Sequence, residues 1–360
     1  MDPTAPRPAA PPGLSWRALI GALIRGETLS QDEAAWAMNE IMEGAATPVQ
    51  VAGFAVALRM KGETPGEVAG LSAVMLRRAT PISVPGDLVD LVGTGGDGAH
   101  TVNISTMGAI VAAAAGVRVV KHGNRAASSA CGAADVLEAL GVVINLPPAA
   151  SARLAEETGI AFLFAPLYHP AFRHASVARG ELGVPTVFNS LCPVSNPARP
   201  AAQAVGVADP RMGGVIAGVL AGRGSSALVF HGADGLDELT PTTTSTVWVV
   251  HEGTVTQTVF DPAVLGLDRA RPEDLRGGDR EYNAAVARAV LGGERGPVRD
   301  TVALNAAAAL AAAAGVPGAD TLDKALTEAF ARASEALDSG AAAELLDRWV
   351  TVSQQLAQSG

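Results

Sequence analysis

Residues 93–140 read GTGGDGAHTVNISTMGAIVAAAAGVRVVKHGNRAASSACGAADVLEAL. Just before them, Leu88-Val89-Asp90-Leu91-Val92 has the length and apolar character of a buried strand. Gly93, Gly95 and Gly96 fall within four residues and are followed by Asp97. Glycine there permits positive φ and lets a ligand come close to the backbone. Thr101, Asn103, Ser105 and Thr106 carry the hydroxyl and amide groups that cap helices. The alanine-rich run Met107 to Ala115 predicts the helix, Gly116 its end, and Val117 to Val120 the next strand. Strands alternating with helices imply a parallel sheet. A strand, a glycine loop and a helix N-terminus together make an anion site, because free N–H groups and the helix dipole converge there.

The second strand runs out into Lys121-His122-Gly123-Asn124-Arg125, with Ser128 and Ser129 behind. Ligands of an α/β sheet collect beyond the carboxyl ends of its strands, so the two loops face one crevice. One loop offers glycines, hydroxyls and Asp97; the other offers Lys121, Asn124 and the serine pair. Lys121, closing a run of valines, is placed to sit on phosphates. Together the loops suit a substrate rich in phosphate and hydroxyl groups. The glycine turn alone fits neither the Walker pattern nor GxGxxG. The specificity lies in two such loops, each leaving a strand.

Upstream, residues 14–80 read as a small helical unit of four helices, starting near Ser15, Ser30, Thr47 and Thr64. Ser30 with Glu33 makes a capping box. Residues 1–13, rich in proline and alanine, predict a disordered tail. Downstream, Val142-Val143-Ile144 is expected as a short strand, Pro148 to Thr158 as a helix and Ile160 to Phe164 as a strand. The loop from Ala165 to Pro170 brings His169 to the same sheet rim, and Phe172 to Leu182 reads as a helix carrying Arg173, His174 and Arg179. Asn189 to Pro200 is irregular and proline-rich, a crossing between domains. A helix over Asp209 to Gly222 precedes a strand, Ala227 to Phe230, with Asp237 and Glu238 in the loop beyond it. Thr246 to Val250 and Thr254 to Val259 make a hairpin at a sheet edge. Helices over 272–276, 279–291, 298–314 and from Thr321 onward cover the sheet. The fold class is thus α/β: a small all-helical N-terminal domain, and a large domain (81–171 and 201–360) with a mostly parallel central sheet flanked by helices.

Of the 360 residues, 48% are hydrophobic and 4% aromatic, so Ala, Val and Leu must build a sizeable core. A net charge of −10 argues against a nucleic-acid or anionic-membrane partner. No apolar run reaches the ~18 residues that span a bilayer, and the first residues lack the apolar core of a signal peptide. Cys131 and Cys192 give no disulfide framework, as expected of a cytoplasmic chain. No Cys/His cluster has zinc spacing. Asp237 and Glu238, following a strand toward a phosphate site, fit magnesium, which takes one or two carboxylates plus substrate phosphates.

GTGGD (93–97), NIST (103–106), KHGNRAASS (121–129) and GAADVLEALG (132–141), in this order and spacing, resemble the anthranilate phosphoribosyltransferases. The likeness continues through GVPTVFN (183–189), NPARP (196–200) and DGLDELT (234–240), and covers Leu14 to the C-terminus. The resemblance implies transfer of a 5-phosphoribosyl group from phosphoribosyl pyrophosphate to the amine of anthranilate, in tryptophan biosynthesis. It implies phosphoribosyl pyrophosphate on Gly93, Gly96, Asp97, Thr101, Asn103, Ser105, Thr106, Lys121, His122, Gly123, Asn124, Arg125, Ser128, Ser129 and the backbone of Ala133. It implies anthranilate on Gly93, Asn124, His169 and Arg179, whose guanidinium suits a carboxylate. It further implies two Mg²⁺ ions, one on Asp237 and Glu238 and one on Ser105, a homodimer through the helical unit, and segments around 172–200 that pack back on that unit. His122 and Arg179 are the candidates for a direct catalytic part, although no general base is assigned. An aryl amine is already nucleophilic, and no Ser-His-Asp or Cys-His constellation is present or required.

Some residues depart from that pattern. Ala133 and Cys131 stand where relatives carry serine, Cys192 stands where glycine is expected, and Phe172 replaces Met or Tyr. A thiol at 192 narrows the aromatic side or changes preference among aromatic amines. Three rivals stay open: a paralogue acting on another aromatic amine, a pyrimidine nucleoside phosphorylase of the same fold, and a non-catalytic nucleic-acid-binding relative. The metal pair and Arg179 weigh against the second, and the acidic charge against the third.

Overall fold

The computed structural model describes residues 13–126 and 130–359. The expected tail thus lies, but for Gly13, outside the described residues, as do Ser128 and Ser129. Four helices open the chain: α1 (Trp16–Ile24), α2 (Gln31–Met42), α3 (Pro48–Lys61) and α4 (Pro65–Arg78). Ser30, Thr47 and Thr64 each close a capping box with the residue three ahead, and proline stands at the start of α3 and α4. Glu67 does more than cap: buried, it also takes the Leu29 N–H and both of its oxygens lie 2.7 Å from Lys61 Nζ.

Alternation of strand and helix begins at β1 (Leu88–Gly93) and continues as α5 (Ile104–Ala114), β2 (Arg118–Gly123), α6 (Ala133–Leu140), α7 (Pro148–Thr158) and β3 (Ile160–Phe164). The short α8 (Ala165–Tyr168), a 3₁₀ turn at Pro170–Ala175 and α9 (Ser176–Leu182) lead into an irregular crossing. Then come β4 (Ala202–Gly206), α10 (Pro210–Gly222), β5 (Ser226–Gly232) and the hairpin β6 (Ser245–His251) and β7 (Thr254–Phe260). The chain ends in α11 (Arg280–Leu291), α12 (Pro297–Ala314), α13 (Leu322–Asp338) and α14 (Ala341–Gln358). The described strands form one seven-stranded sheet, β3-β2-β1-β4-β5-β6-β7, parallel from β3 to β5 and antiparallel at the hairpin. The chain leaves β1 toward β2 on one side and returns to β4 on the other. That reversal opens a crevice beyond the ends of β1 and β4.

Two expectations are corrected. Residues 142–144 form no strand: Val142 and Ile144 fill the core beneath the helices instead of pairing with a strand. The Val143 N–H is satisfied by Ser353 Oγ of α14 at 3.1 Å. Conversely, β4, where the sequence predicts no element, lies in the middle of the sheet, paired to β1 and β5. Its Ala, Gln and Gly have little strand preference, and only burial between two partners makes it a strand.

One core lies between the sheet and α5, α12, α13 and α14; its many alanines let α12 pack closely on α5. A second joins α1–α4, α10 and the other face of the sheet with Ala175, Ala178, Val187 and Phe188. The segments after β3 therefore pack against the helical unit.

Candidate active site

A cleft of about 750 Å³ lies beyond the ends of β1 and β2 and reaches the loop after β5. It has two halves. One is lined by the glycine loop 93–98, Thr101, Asn103, Ser105, Gly123, Asn124, Ala133, Asp237 and Glu238. The other is lined by Met75, His122, His169, Phe172, Arg179, Phe188 and Cys192.

The glycine loop is shaped by real steric demands. Gly95, Gly96 and Gly98 have φ of 68°, 86° and 71°, in the left-handed region. A Cβ on Gly93 would stand 2.2 Å from Asp237 Oδ2, and one on Gly206 1.6 Å from the Asp237 carbonyl oxygen. The loop after β5 thus crosses directly over the ends of β1 and β4, and the Gly95 N–H donates to Asp237 Oδ2 at 2.7 Å. Asn103 occupies the N-cap position of α5 without capping. Its Nδ2 donates to the Cys131 carbonyl at 3.1 Å and its Oδ1 accepts from Asn283 at 2.9 Å, which ties α5 to the loop after β2 and to α11.

Asp237 and Glu238 are both buried, with Asp97 beside them. Burial raises the Asp237 carboxyl to about 7, aided by the nearby Asp97. It raises Glu238 well above its ordinary value, aided by Asp237. Lys121 is the cation facing them, but its Nζ is already bound to the Leu91 carbonyl at 2.5 Å and to Ser105 Oγ at 3.2 Å. An all-oxygen group of buried carboxylates with a hydroxyl nearby fits a small hard cation such as Mg²⁺. Among the described residues no three His, Cys, Asp or Glu side chains close into a metal-holding group by themselves. A cation there would complete its shell from ligand oxygens and water.

The other half is nearly free of carboxylates. Arg179, half-buried, stacks over Phe172 with 5.1 Å to the ring centroid and has no ion-pair partner among the described residues. Burial pulls its guanidinium below the ordinary value. The His122 and His169 rings meet edge to face at 5.1 Å. Burial, with His169 as a second cause, lowers His122 to about 3, and burial lowers His169 to about 4. The Cys192 thiol lies 3.5 Å from His122 Nδ1 and is pushed up to about 12 by burial.

Every described residue that the sequence pointed to lines this cleft except Thr106, which is buried in α5. Arg125 lines it with its guanidinium committed to Asp135 and Glu138. Asp90, Asn196 and the carbonyls of residues 192–195 were missed by the sequence reading, although an aspartate inside an apolar strand was a visible irregularity at 90.

Residues 85–343 match the α/β domain of a glycosyl transferase family, and residues 17–79 its helical bundle domain. The chain is 60% identical over 344 residues to the anthranilate phosphoribosyltransferase of Thermobifida fusca, covering 96% of this chain and 98% of that protein. It superposes on the crystal structure of the Thermus thermophilus enzyme of that name with a TM-score of 0.86 and 45% identity, over 93% of this chain and 99% of that one. The Saccharomyces cerevisiae enzyme in complex with PRPP and Mg matches with a TM-score of 0.84 and 26% identity, over 94% of this chain and 98% of that one. With both domains matched and near-complete coverage, the chain belongs to the anthranilate phosphoribosyltransferases of this glycosyl transferase family.

Proposed function

We propose that the protein transfers the 5-phosphoribosyl group of phosphoribosyl pyrophosphate to the amine of anthranilate, releasing pyrophosphate, as a step of tryptophan biosynthesis. The observation that carries this reading is the division of one cleft into a half of N–H groups, hydroxyls and buried carboxylates and a half with an uncommitted guanidinium among aromatic side chains. The diphosphate and ribose lie in the first half, on the loops 93–98 and 121–126 and the start of α5. The Arg179 guanidinium takes the carboxylate of anthranilate through two parallel hydrogen bonds. The amine nitrogen forms its bond to C1 of the ribose as the C1–O bond to pyrophosphate breaks, and the nitrogen then loses its extra proton to water. Asp237 and Glu238 would hold one Mg²⁺ and Ser105 a second. When bound, the ions neutralise charge developing on the leaving diphosphate. Lys121 fixes the Ser105 hydroxyl, and neutral His122 and His169 keep the aromatic half free of competing cations. Alignment of the two substrates supplies on the order of 7–11 kcal/mol, so no general base is needed.

Several further features belong to this reading. Ile24, Val49 and Met60 expose apolar side chains on the helical unit, which supports a homodimer through that face. Residues 14–80 form a small domain that closes over the sheet with 81–86 as its hinge; the other crossing, 189–200, is tied to the sheet at 192–196 and moves with it. No disulfide links Cys131 to Cys192 among the described residues. No helix is long and apolar enough to cross a membrane among the described residues. The test is loss of anthranilate fluorescence on mixing with phosphoribosyl pyrophosphate and Mg²⁺. Turnover is expected only with all three present, and phosphorolysis of uridine or thymidine in its place would overturn the reading.

A further inference from the structure

Asp90 lies fully buried in the middle of β1 and does not line the cleft. Its Oδ1 accepts from the His122 backbone N–H at 3.3 Å and its Oδ2 from Asn196 Nδ2 at 2.8 Å. Asn196 has nothing left to give. Its Nδ2 also donates to the Val120 carbonyl at 2.8 Å, and its Oδ1 accepts from the Ala198 N–H at 3.0 Å. Asn196 closes the stretch 192–195, a 3₁₀ turn over Cys192–Val194 with no ladder partner. There, four successive carbonyls accept from four side chains of other elements: Cys192 from His122 Nδ1 at 3.2 Å, Pro193 from Gln203 Nε2 at 2.8 Å, Val194 from Arg223 Nη1 at 2.8 Å, and Ser195 from His169 Nε2 at 2.9 Å. A carbonyl only accepts, so His122 carries its proton on Nδ1 and His169 on Nε2. The other ring nitrogens, His122 Nε2 and His169 Nδ1, are buried without a hydrogen-bond partner among the described residues.

We propose that Asp90 is a positioning residue for the aromatic half of the cleft: through Asn196 it anchors the strap 192–195, and the strap fixes the tautomer and orientation of His122 and His169. The inference rests on the reading that this half receives the aryl amine. An isosteric amide at 90 preserves packing but offers one donor and one acceptor where His122 and Asn196 both donate. One contact must then break, and the strap carbonyls facing the histidines shift.

The experiment compares the full-length chain with Asp90→Asn and Asn196→Ala, by steady-state kinetics with Mg²⁺ and by nitrogen-15 NMR of the imidazoles without substrate. We expect KM for anthranilate to rise about tenfold in Asp90→Asn while KM for phosphoribosyl pyrophosphate and kcat stay within about twofold. In the wild type each of the two buried rings gives the signals of one neutral tautomer; in the variant these signals shift or broaden. Asn196→Ala reproduces the split, and carries the test if the amide at 90 does not fold. Equal loss toward both substrates, or unchanged imidazole signals, overturns the proposal. A wild type with no turnover refutes the functional reading instead, while the imidazole signals still decide the role of Asp90.

Discussion

Asp237 Oδ2 accepts the Gly95 N–H at 2.7 Å, so the acidic pair after β5 is tied to the glycine loop after β1. The side chain that we assign to the metal therefore also holds the loop that we assign to the diphosphate. Asp237→Asn keeps an oxygen for Gly95 but loses the charge. Its melting temperature should stay near that of the wild type while kcat/KM at saturating Mg²⁺ falls by about a hundredfold or more. Asp237→Ala should lose the tether as well and lower both. Undiminished activity in Asp237→Asn would refute the metal assignment.

Close approach at the strand ends gives a stability prediction. The Cβ of Gly206→Ala would stand 1.6 Å from a backbone oxygen of Asp237, which cannot swing aside as a side chain would. Urea unfolding should show a loss on the order of 3 kcal/mol or more. Gly180→Ala, with open space around its Cβ, is the control and should cost nothing measurable.

Arg179 is held by stacking on Phe172 and not by a carboxylate. Arg179→Gln should raise KM for anthranilate about 10- to 100-fold, the worth of a charge-assisted pair, and leave KM for phosphoribosyl pyrophosphate nearly unchanged. Equal effects on both would place the aromatic acid elsewhere.

Cys192 presents its thiol beside His122 in the aromatic half. Cys192→Gly removes that bulk while leaving the carbonyl that His122 uses. Ring-substituted anthranilates should gain in kcat/KM relative to anthranilate, by about tenfold for an added methyl group. A substrate ranking identical to that of the wild type would remove Cys192 from the specificity wall.

The histidines predict a pH dependence. Burial lowers His122 to about 3 and His169 to about 4, from 6.5. Between those values and 6.5 the unfolded chain binds protons that the folded chain refuses. Their contribution is whole above 6.5 and declines as the pH falls toward 4. Asp90, raised to about 6 by burial, works in the opposite sense between 6 and 3.8, so the total curve is a mixture. Comparing the wild type with His122→Asn isolates one group. The wild type's advantage in urea should shrink from pH 7.5 to pH 5, by up to about 1.4 kcal/mol per pH unit below 6.5. An advantage equal at both pH values would mean that His122 is not held neutral.

Most of the fold was legible because glycines, caps and apolar runs punctuate it. Ser30 opens a helix where its spacing to Glu33 says it should, and Thr47 and Thr64 open the next two as expected, with capping partners in Gln50 and Glu67 that the structure adds. Val142–Ile144 misled because an apolar run fits a strand and a core loop equally well, and only the packing against α14 decides between them. Strand β4 was hidden for the converse reason: Ala202-Gln203-Ala204-Val205-Gly206 owes its conformation to neighbours on both sides. The phosphate half could be read from side chains and glycines. The part played by 192–195 could not, because it acts through carbonyls, which every residue has.

That last property bears on how the wall can change. His122, Gln203, Arg223 and His169 grip backbone oxygens, and only His122 also meets a side chain of the stretch, the Cys192 thiol. Of those four positions only Cys192 and Ser195 line the cleft, and Ser195 is fully buried with its hydroxyl on the Leu191 carbonyl; position 192 is thus the exchangeable part of a fixed mount, and a designer seeking new aromatic acceptors should vary it while leaving the four grips and Asn196 untouched.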